Sequence, residues 1–413
     1  MNSIKNLIQQ LCPNGVEYKP LAEVGHLVRG NGLPKTDFTE SGVGAIHYGQ
    51  IYTYYGTWAT DTISFVAPGT ATKLAKVDPG DVIITNTSEN LEDVGKAVAW
   101  LGKEQIVTGG HATVFKHSQN PKFIAYWLQT PEFFTQKKKL ATGTKVTDVS
   151  ARALERVKLP VPPIAIQDEI VRVLDLFSGA VADLKVQLDA EFAARRLQYA
   201  YYRDNLFTFQ DADVCFVPMG EVGEFLRGRR FTKSDVVDEG IPSIHYGEIY
   251  TTYGIAADQA VSHIREKLGP QLRYAKPGDV VIAAVGETVE DVGRGVAWLG
   301  TTDVAIHDDC FLYRSNVLDP KFVCYYLRSE AHNRAKAKYV ARAKVKRMSR
   351  EGLAKLPIPV PSLKEQKRIV AILDELDSLL TDMAAALPSE VIARRQQYDF
   401  YRDRLLTFEE LSA

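Results

Sequence analysis

Lysine and arginine crowd two short stretches of this sequence at the density that neutralising a run of phosphates requires. The first carries Lys137, Lys138, Lys139 and Lys145, followed by Arg152, Arg156 and Lys158. The second runs from Asn333 to Arg350 with Arg334, Lys336, Lys338, Arg342, Lys344, Lys346, Arg347 and Arg350, and no acid among them. Either stretch alone could be a solvated helix face; their presence in two equivalent places favours phosphate contact. A second pattern is rich in tyrosine: His47-Tyr48-Gly49 with Tyr52, Tyr54 and Tyr55, and His245-Tyr246-Gly247 with Tyr250 and Tyr253. Hydroxyls and imidazoles in that arrangement could meet base edges or the sugar–phosphate backbone. Aromatic packing on a strand accounts equally well for Tyr52 and Tyr250. The polar loop from Asn86 to Asn90, with Thr87, Ser88 and Glu89, follows a buried apolar run and is well placed to read base edges. Its counterpart, from Ala284 to Thr288 with Glu287, differs sharply, and His111 aligns with Asp309. Lys35, Thr144, Arg229 and Arg230 complete the set of candidate nucleic-acid contacts.

Enzymatic chemistry finds little support. There is no Gly-x-x-x-x-Gly-Lys-Ser/Thr phosphate loop, no Asn/Asp-Pro-Pro-Tyr/Phe motif, no Phe-x-Gly-x-Gly cofactor loop and no His-Glu-x-x-His. His307-Asp308-Asp309 has catalytic or metal-binding residue types, but the first copy reads Gly109-Gly110-His111 there, which favours a structural or DNA-side role. Cysteines at 12, 215, 310 and 324 form no metal-ligand spacing and fit idle thiols in a reducing cytoplasm. No metal and no resident cofactor are expected.

These residues are positioned by a sequence written twice. Residues 46–56 reappear at 244–254, with only Gln50/Glu248 and Tyr54/Thr252 differing. Pro79-Gly80-Asp81-Val82 reappears at Pro277, and the run Asp93–Gly102 reappears at Asp291–Gly300 with differences only at Lys96/Arg294 and Ala97/Gly295. The offset of 198 then becomes 199, pairing Pro121-Lys122-Phe123 with Pro320-Lys321-Phe322 and Arg195-Arg196 with Arg394-Arg395. So long a period is a domain plus something else, not a solenoid.

Within each copy the texture changes. The first part mixes short β-branched runs such as Val82-Ile83-Ile84 and Val280-Val281-Ile282, bounded by Pro-Gly-Asp turns, with helical pieces near Phe123 and Phe322. A mixed α/β globule is expected. A proline-rich joint follows, and then an apolar seam at alternating steps of three and four: Ile166, Ile170, Val173, Phe177, Val181, Leu184, Leu188, Phe192, Tyr199, Tyr202 and Leu206, matched from Ile369 to Leu405. Each seam predicts a long helix of about 65 Å. The expected architecture is α+β: two similar globules joined by two long helices packed as an antiparallel coiled coil, pseudo-twofold symmetric. The expected boundaries are 1–158 for the first globule, 159–212 for the first spacer helix, 213–357 for the second globule and 358–413 for the second helix. Pro388 stands where the first copy has Asp189 and should kink or break the second helix. With 45% hydrophobic and 24% charged residues and a net charge of −1, the chain reads as a soluble multidomain protein whose DNA-binding character is local. No apolar window is long enough for a membrane span.

The joints Leu159-Pro-Val-Pro-Pro-Ile-Ala-Ile-Gln167 and Ile358-Pro-Val-Pro-Ser-Leu-Lys-Glu-Gln366 each precede an Ile-Val-x-x-Leu-Asp helix start. With the Arg-Arg-x-Gln-Tyr-x-x-Tyr-Arg-Asp ends at Arg195 and Arg394 and the opening Leu11–Tyr18, this pattern resembles the specificity subunit of type I restriction–modification systems over nearly the whole chain. The resemblance implies that each globule is a target-recognition domain reading half of a bipartite site in double-stranded DNA, near-palindromic because the heads are alike. It further implies docking of two modification (methyltransferase) subunits and of restriction subunits in the cytoplasm. Catalysis and S-adenosylmethionine would belong to those partners, not to this chain. Arg342 departs from the pattern, standing where the first copy has Gly143. A non-catalytic coiled-coil adaptor with ligand- or protein-binding heads is the alternative.

Overall fold

In the computed structural model, which describes residues 2–143, 145–209, 214–341 and 345–411, the chain divides into two units. One comprises Met1–Val186 with Ser389–Ala413, the other Gln187–Pro388.

The head of the first unit holds two five-stranded sheets. In one, the strands run 25–29, 112–117, 82–85, 97–100 and 58–59; in the other, 38–39, 64–66, 43–46, 106–108 and 75–77. The central strand Val82–Thr85 is buried on both faces, which is why it reads as an unbroken apolar run. Alternation along it divides the core. Val82 and Ile84 face the helical side, with Phe123, Ile124 and Trp127, whereas Ile83 faces the second sheet, with Ile46, Val77 and Ile106. Each fully buried aliphatic side chain there contributes about 1.5–3 kcal/mol. The second unit repeats this construction strand for strand. Its central strand Val280–Ala283 places Val280 and Ile282 in one cluster, and Val281 and Ala283 in the other.

Each head is latched to a long helix by the residues of its proline-rich joint. The first long helix spans Ile164–Leu206 and the second Leu363–Leu405. Gln167 is fully buried; its amide oxygen accepts from the Asn120 N–H at 3.0 Å, and its NH2 donates to the Pro162 carbonyl and Gln119 Oε1, both at 2.8 Å. Asn120 in turn caps the helix Pro121–Trp127, which begins with proline at its first position. A little over two turns further along, Asp175 accepts from Lys122 Nζ at 2.7 Å and from the Tyr126 hydroxyl at 2.8 Å. In the second unit Gln366 accepts from Asp319 N–H at 2.7 Å, and Asp374 receives Lys321 and Tyr325. Burial, then the adjacent carboxylate, holds both tyrosine hydroxyls well above their ordinary pKa, so they stay donors.

The long helices run antiparallel. In the first unit Ile166, Ile170 and Leu174 from the start of one helix share a cluster with Leu405 and Leu406 at the end of the other, and Phe177 stacks on Tyr401 at 5.9 Å. In the second unit Ile369 and Leu373 cluster with Phe207, against which Tyr199 and Leu206 pack. The seam residues Val181, Leu184, Leu188 and Phe192 are half-buried, as a two-helix contact allows, while Phe177 and Tyr202 are exposed. The second helix runs as one element through Pro388, which corrects the break, though not the kink, offered by the sequence; the proline falls where the chain passes from one unit to the other. The first helix begins only at Ile164, because Lys158–Pro160 pairs with Tyr18–Pro20 and closes the head, and it ends at Leu206.

One core position differs chemically between the heads. Phe133 of the first unit packs on Trp127, and its repeat equivalent is His332, fully buried with neither ring nitrogen hydrogen-bonded among the described residues. Burial, reinforced by Lys336, pushes this imidazole down to about 3. The unfolded chain therefore takes up a proton below about pH 6.5 that the folded chain refuses, so stability falls as pH drops through the window between about 6.5 and 3. His332→Phe should remove this dependence. Urea unfolding should place the variant ahead of wild type by roughly 2 kcal/mol more at pH 5 than at pH 7.5. An equal difference at both pH values would contradict the account.

Candidate nucleic-acid interface

The polar loop and the basic run, distant in sequence, meet in a short two-stranded ribbon. In the first unit Thr87–Ser88 pairs antiparallel with Thr147–Asp148; in the second Val285–Gly286 pairs with Lys346–Arg347. The ribbon of the first head is anchored from beneath by Asn86, whose buried NH2 donates to the Val149 carbonyl at 2.7 Å and whose oxygen accepts from the Thr113 hydroxyl at 2.8 Å. Asn86 is therefore a support and not a base reader. In the second head Ala284 stands there, and the backbone alone closes the frame through Ala284 N–H to the Asp309 carbonyl at 2.8 Å and Met348 N–H to the Ala284 carbonyl at 3.0 Å.

The tyrosine motif frames the ribbon from the side, and it is helical. Strand Val43–Ile46 ends just before His47, whose Nδ1 accepts from the Gly49 N–H at 3.1 Å and caps the helix Tyr48–Thr53; His245 does the same for Tyr246–Thr251. Nδ1 of His47 and of His245 is thus engaged in capping. Burial, then Lys35 and His111, lowers the pKa of His47. The Tyr52 hydroxyl donates to the Thr87 carbonyl at 2.6 Å, and burial pushes it up to about 12; Tyr250 bonds the Val285 carbonyl in the same way. Both tyrosines are fasteners for the ribbon. Tyr48 lies 4.8 Å, ring to ring, from His111, and His111 Nδ1 is 3.0 Å from the Thr87 hydroxyl. Tyr48, Tyr52, Thr87 and His111 therefore come together, as do Tyr246, Tyr250 and Arg347 around the ribbon of the second head, where Arg347 Nη1 is 3.4 Å from Asp309.

The basic residues separate into two kinds. Lys137 is only 4% exposed, and its ammonium donates to the carbonyls of Glu92 at 2.9 Å and Val94 at 2.6 Å. Its repeat equivalent Lys336 is buried likewise, on the Glu290 carbonyl. Burial pushes both down to about 8. These two are core supports, which corrects their inclusion among phosphate contacts. Lys35, Lys138, Lys145, Arg229, Arg230 and Arg347 are exposed, as are Glu89 and Glu287; Ser88 and Lys346 are half-buried in the ribbons. Thr144, Arg342 and Lys344 lie outside the described residues.

Arg29, Arg227 and Asp148 went unnoticed in the sequence. Arg29 and Arg227 end equivalent strands in the repeated x-Arg-Gly motif, which was the signal that could have found them. Arg227 Nε donates to the Asp308 carbonyl at 2.8 Å and, with Arg347, Tyr339 and Arg350, lines a cleft of about 540 Å³. His307 spends both ring nitrogens, one accepting from the Asp309 N–H and the other 3.1 Å from the Phe231 carbonyl, so the His307-Asp308-Asp309 group serves as a brace.

Two duplicated heads, each with a ribbon edged by exposed cations and hydrogen-bonding side chains, define a repeated polar-recognition protein. The chain belongs to the family described as type I restriction modification DNA specificity domain, which matches residues 13–191 and again 212–392. It is similar to a putative type I restriction enzyme specificity subunit of Haemophilus influenzae, 28% identical over 99% of this chain and 100% of that one. A type I restriction enzyme specificity subunit of Escherichia coli is 28% identical over 70% of each chain. The fold matches that of the HsdS subunit from Thermoanaerobacter tengcongensis, with a TM-score of 0.60 over 96% of this chain and 97% of that one. It also matches a chain from a study of assembly and conformational transition of the type I R-M system, at 0.71 over 95% and 98%. The chain is thus a type I specificity subunit by family, as its joints suggested.

The division of the cations makes a prediction. Lys145→Ala should lower the slope of log affinity against log salt for duplex DNA by about 0.9 in anisotropy titrations. Lys137→Met should leave that slope unchanged and instead lower the denaturation midpoint, because two carbonyls lose their donor.

Proposed function

We propose that this chain reads a split, near-palindromic DNA site, one half through each head, and carries no catalytic centre of its own. The observation behind this reading is the ribbon built twice, once per unit and in the same register, with a strand from the basic stretch of each head or its immediate flank. Phosphates are met by the exposed lysines and arginines around it, and bases by the ribbon side chains. Both ribbons sit on similar frames with different tips, so the half-sites are related but not identical.

Adenine methylation and S-adenosylmethionine belong to two modification subunits held on the long helices. In support, Tyr201 in one unit and its repeat equivalent Phe400 in the other stand 64% and 60% exposed, offering an apolar contact in each unit. Restriction subunits join that assembly. The work takes place in the cytoplasm, in keeping with four cysteines that are all free thiols, and none of the described helices is long and apolar enough to cross a membrane.

The test is modification-resolved sequencing of DNA from cells expressing this chain with a type I modification subunit from the same source. Methyl-adenine should appear in one two-part motif with an unread spacer of fixed length. Unmodified DNA, with both proteins soluble and associated, would refute the proposal.

A further inference from the structure

The two ribbons are superimposable in register but opposite in charge at one place. Asp148 is paired across the ladder with Thr87, and Arg347 with Val285; Thr87 and Val285 are repeat equivalents at the offset of 198, Asp148 and Arg347 at 199. The neighbouring strand end is inverted as well: His111 in the first head, 3.0 Å from the Thr87 hydroxyl, and Asp309 in the second, 3.4 Å from the Arg347 guanidinium. The first head therefore presents a carboxylate, an imidazole and a hydroxyl where the second presents a guanidinium restrained by a carboxylate. Around this place the frame is held constant: Arg29/Arg227, Tyr48/Tyr246, Tyr52/Tyr250 and Glu89/Glu287 are the same residue types in both copies.

We infer that this position is a base-reading site of opposite polarity in the two heads, with Arg347 donating to a guanine and Asp148 accepting from the exocyclic amine of a cytosine. The inference rests on the reading of the chain as a DNA specificity subunit. A guanidinium fits the two acceptors of guanine, O6 and N7, with a pair of parallel hydrogen bonds, and a carboxylate fits the cytosine N4 donor; a two-stranded ribbon is of a size the major groove admits. Arg347 meets the requirements of a reader. Its side chain is 59% exposed and lines the cleft. Its backbone is fixed by the ribbon and by the Ala341 N–H to its carbonyl at 3.0 Å. Its contact with Asp309 is long and partly exposed, so it aims the guanidinium without holding it against a base. Asp309 is thus a positioning residue. Because the two heads demand opposite bases at equivalent places, the target departs from a palindrome at that pair.

The experiment applies modification-resolved sequencing to cells carrying wild type, Arg347→Ala, Arg347→Gln or Asp148→Asn, each with the modification subunit. Binding of the purified assemblies to duplex pools randomised across one half-site gives a second readout where methylation falls away. Arg347→Ala should cost roughly ten- to hundred-fold in discrimination at a single guanine of one half-site, leaving every other position intact. Arg347→Gln should shift that position towards adenine, and Asp148→Asn should change a single position in the other half. A motif unchanged at every base in the Arg347 variants, or relaxation of both halves together, overturns the inference while the wild-type motif upholds the broader reading. Absence of any split motif with wild type overturns both.

Discussion

The contact on which the rest of the molecule depends is a buried side-chain amide. Gln167, and Gln366 in the second unit, each join three things in one residue: the cap of the helix at the back of the head, the proline-rich strand leaving it, and the long helix of which the glutamine is part. An unpaired buried polar group costs about 1–3 kcal/mol, so a head that shifted against its helix would forfeit several such bonds at once. The Asp175 and Asp374 carboxylates, a little over two turns further on, add a second point of attachment, and two points define a direction. A recognition head on a helical support is useful only if its setting against that support is reproducible. The latch gives this chain that property twice.

Above the latch the head is organised in order of decreasing constraint. The central strands are buried on both faces, the capped helices Tyr48–Thr53 and Tyr246–Thr251 are locked by His47 and His245, and their tyrosines fasten the ribbons through backbone carbonyls. None of these contacts specifies the side chains that leave the ribbon. Asn86 can become Ala284, Thr87 can become Val285 and Asp148 can become Arg347 without disturbing the register. A constant frame with a free tip is what a family of readers with different targets requires, and here both states occur within one chain.

Much of this was legible in the sequence because it depends on local patterns. The apolar runs around Val82 and Val280, the helical seam, and the joints at Gln167 and Gln366 carry periodicity or repetition that survives without coordinates. The site was legible as a neighbourhood and less so as roles. Lys137 counts as a cation in any charge tally, yet it is a core residue, because whether an ammonium faces water or a pair of carbonyls is decided by the fold of residues 92–94. The capping role of His47 Nδ1 was not legible in the residue type alone, since a histidine followed by glycine two residues on can satisfy the first turn of a helix. Asp148 passed unnoticed because its significance is relational: it matters through its cross-strand position against Thr87 and through the arginine at the equivalent place. Pro388 suggested a break that the helix does not make, because a local propensity is overridden where the flanking turns continue the helix.

The central claim is that each head independently specifies one half of the target. The most direct measurement is the methylated motif produced by a chain in which residues 216–357 are replaced with a second copy of residues 18–158, leaving both long helices intact. The account predicts that one half of the wild-type motif is retained and that the other becomes its inverted repeat, giving a true palindrome split by the spacer. Retention of the wild-type motif, or loss of the half belonging to the untouched head, would contradict it.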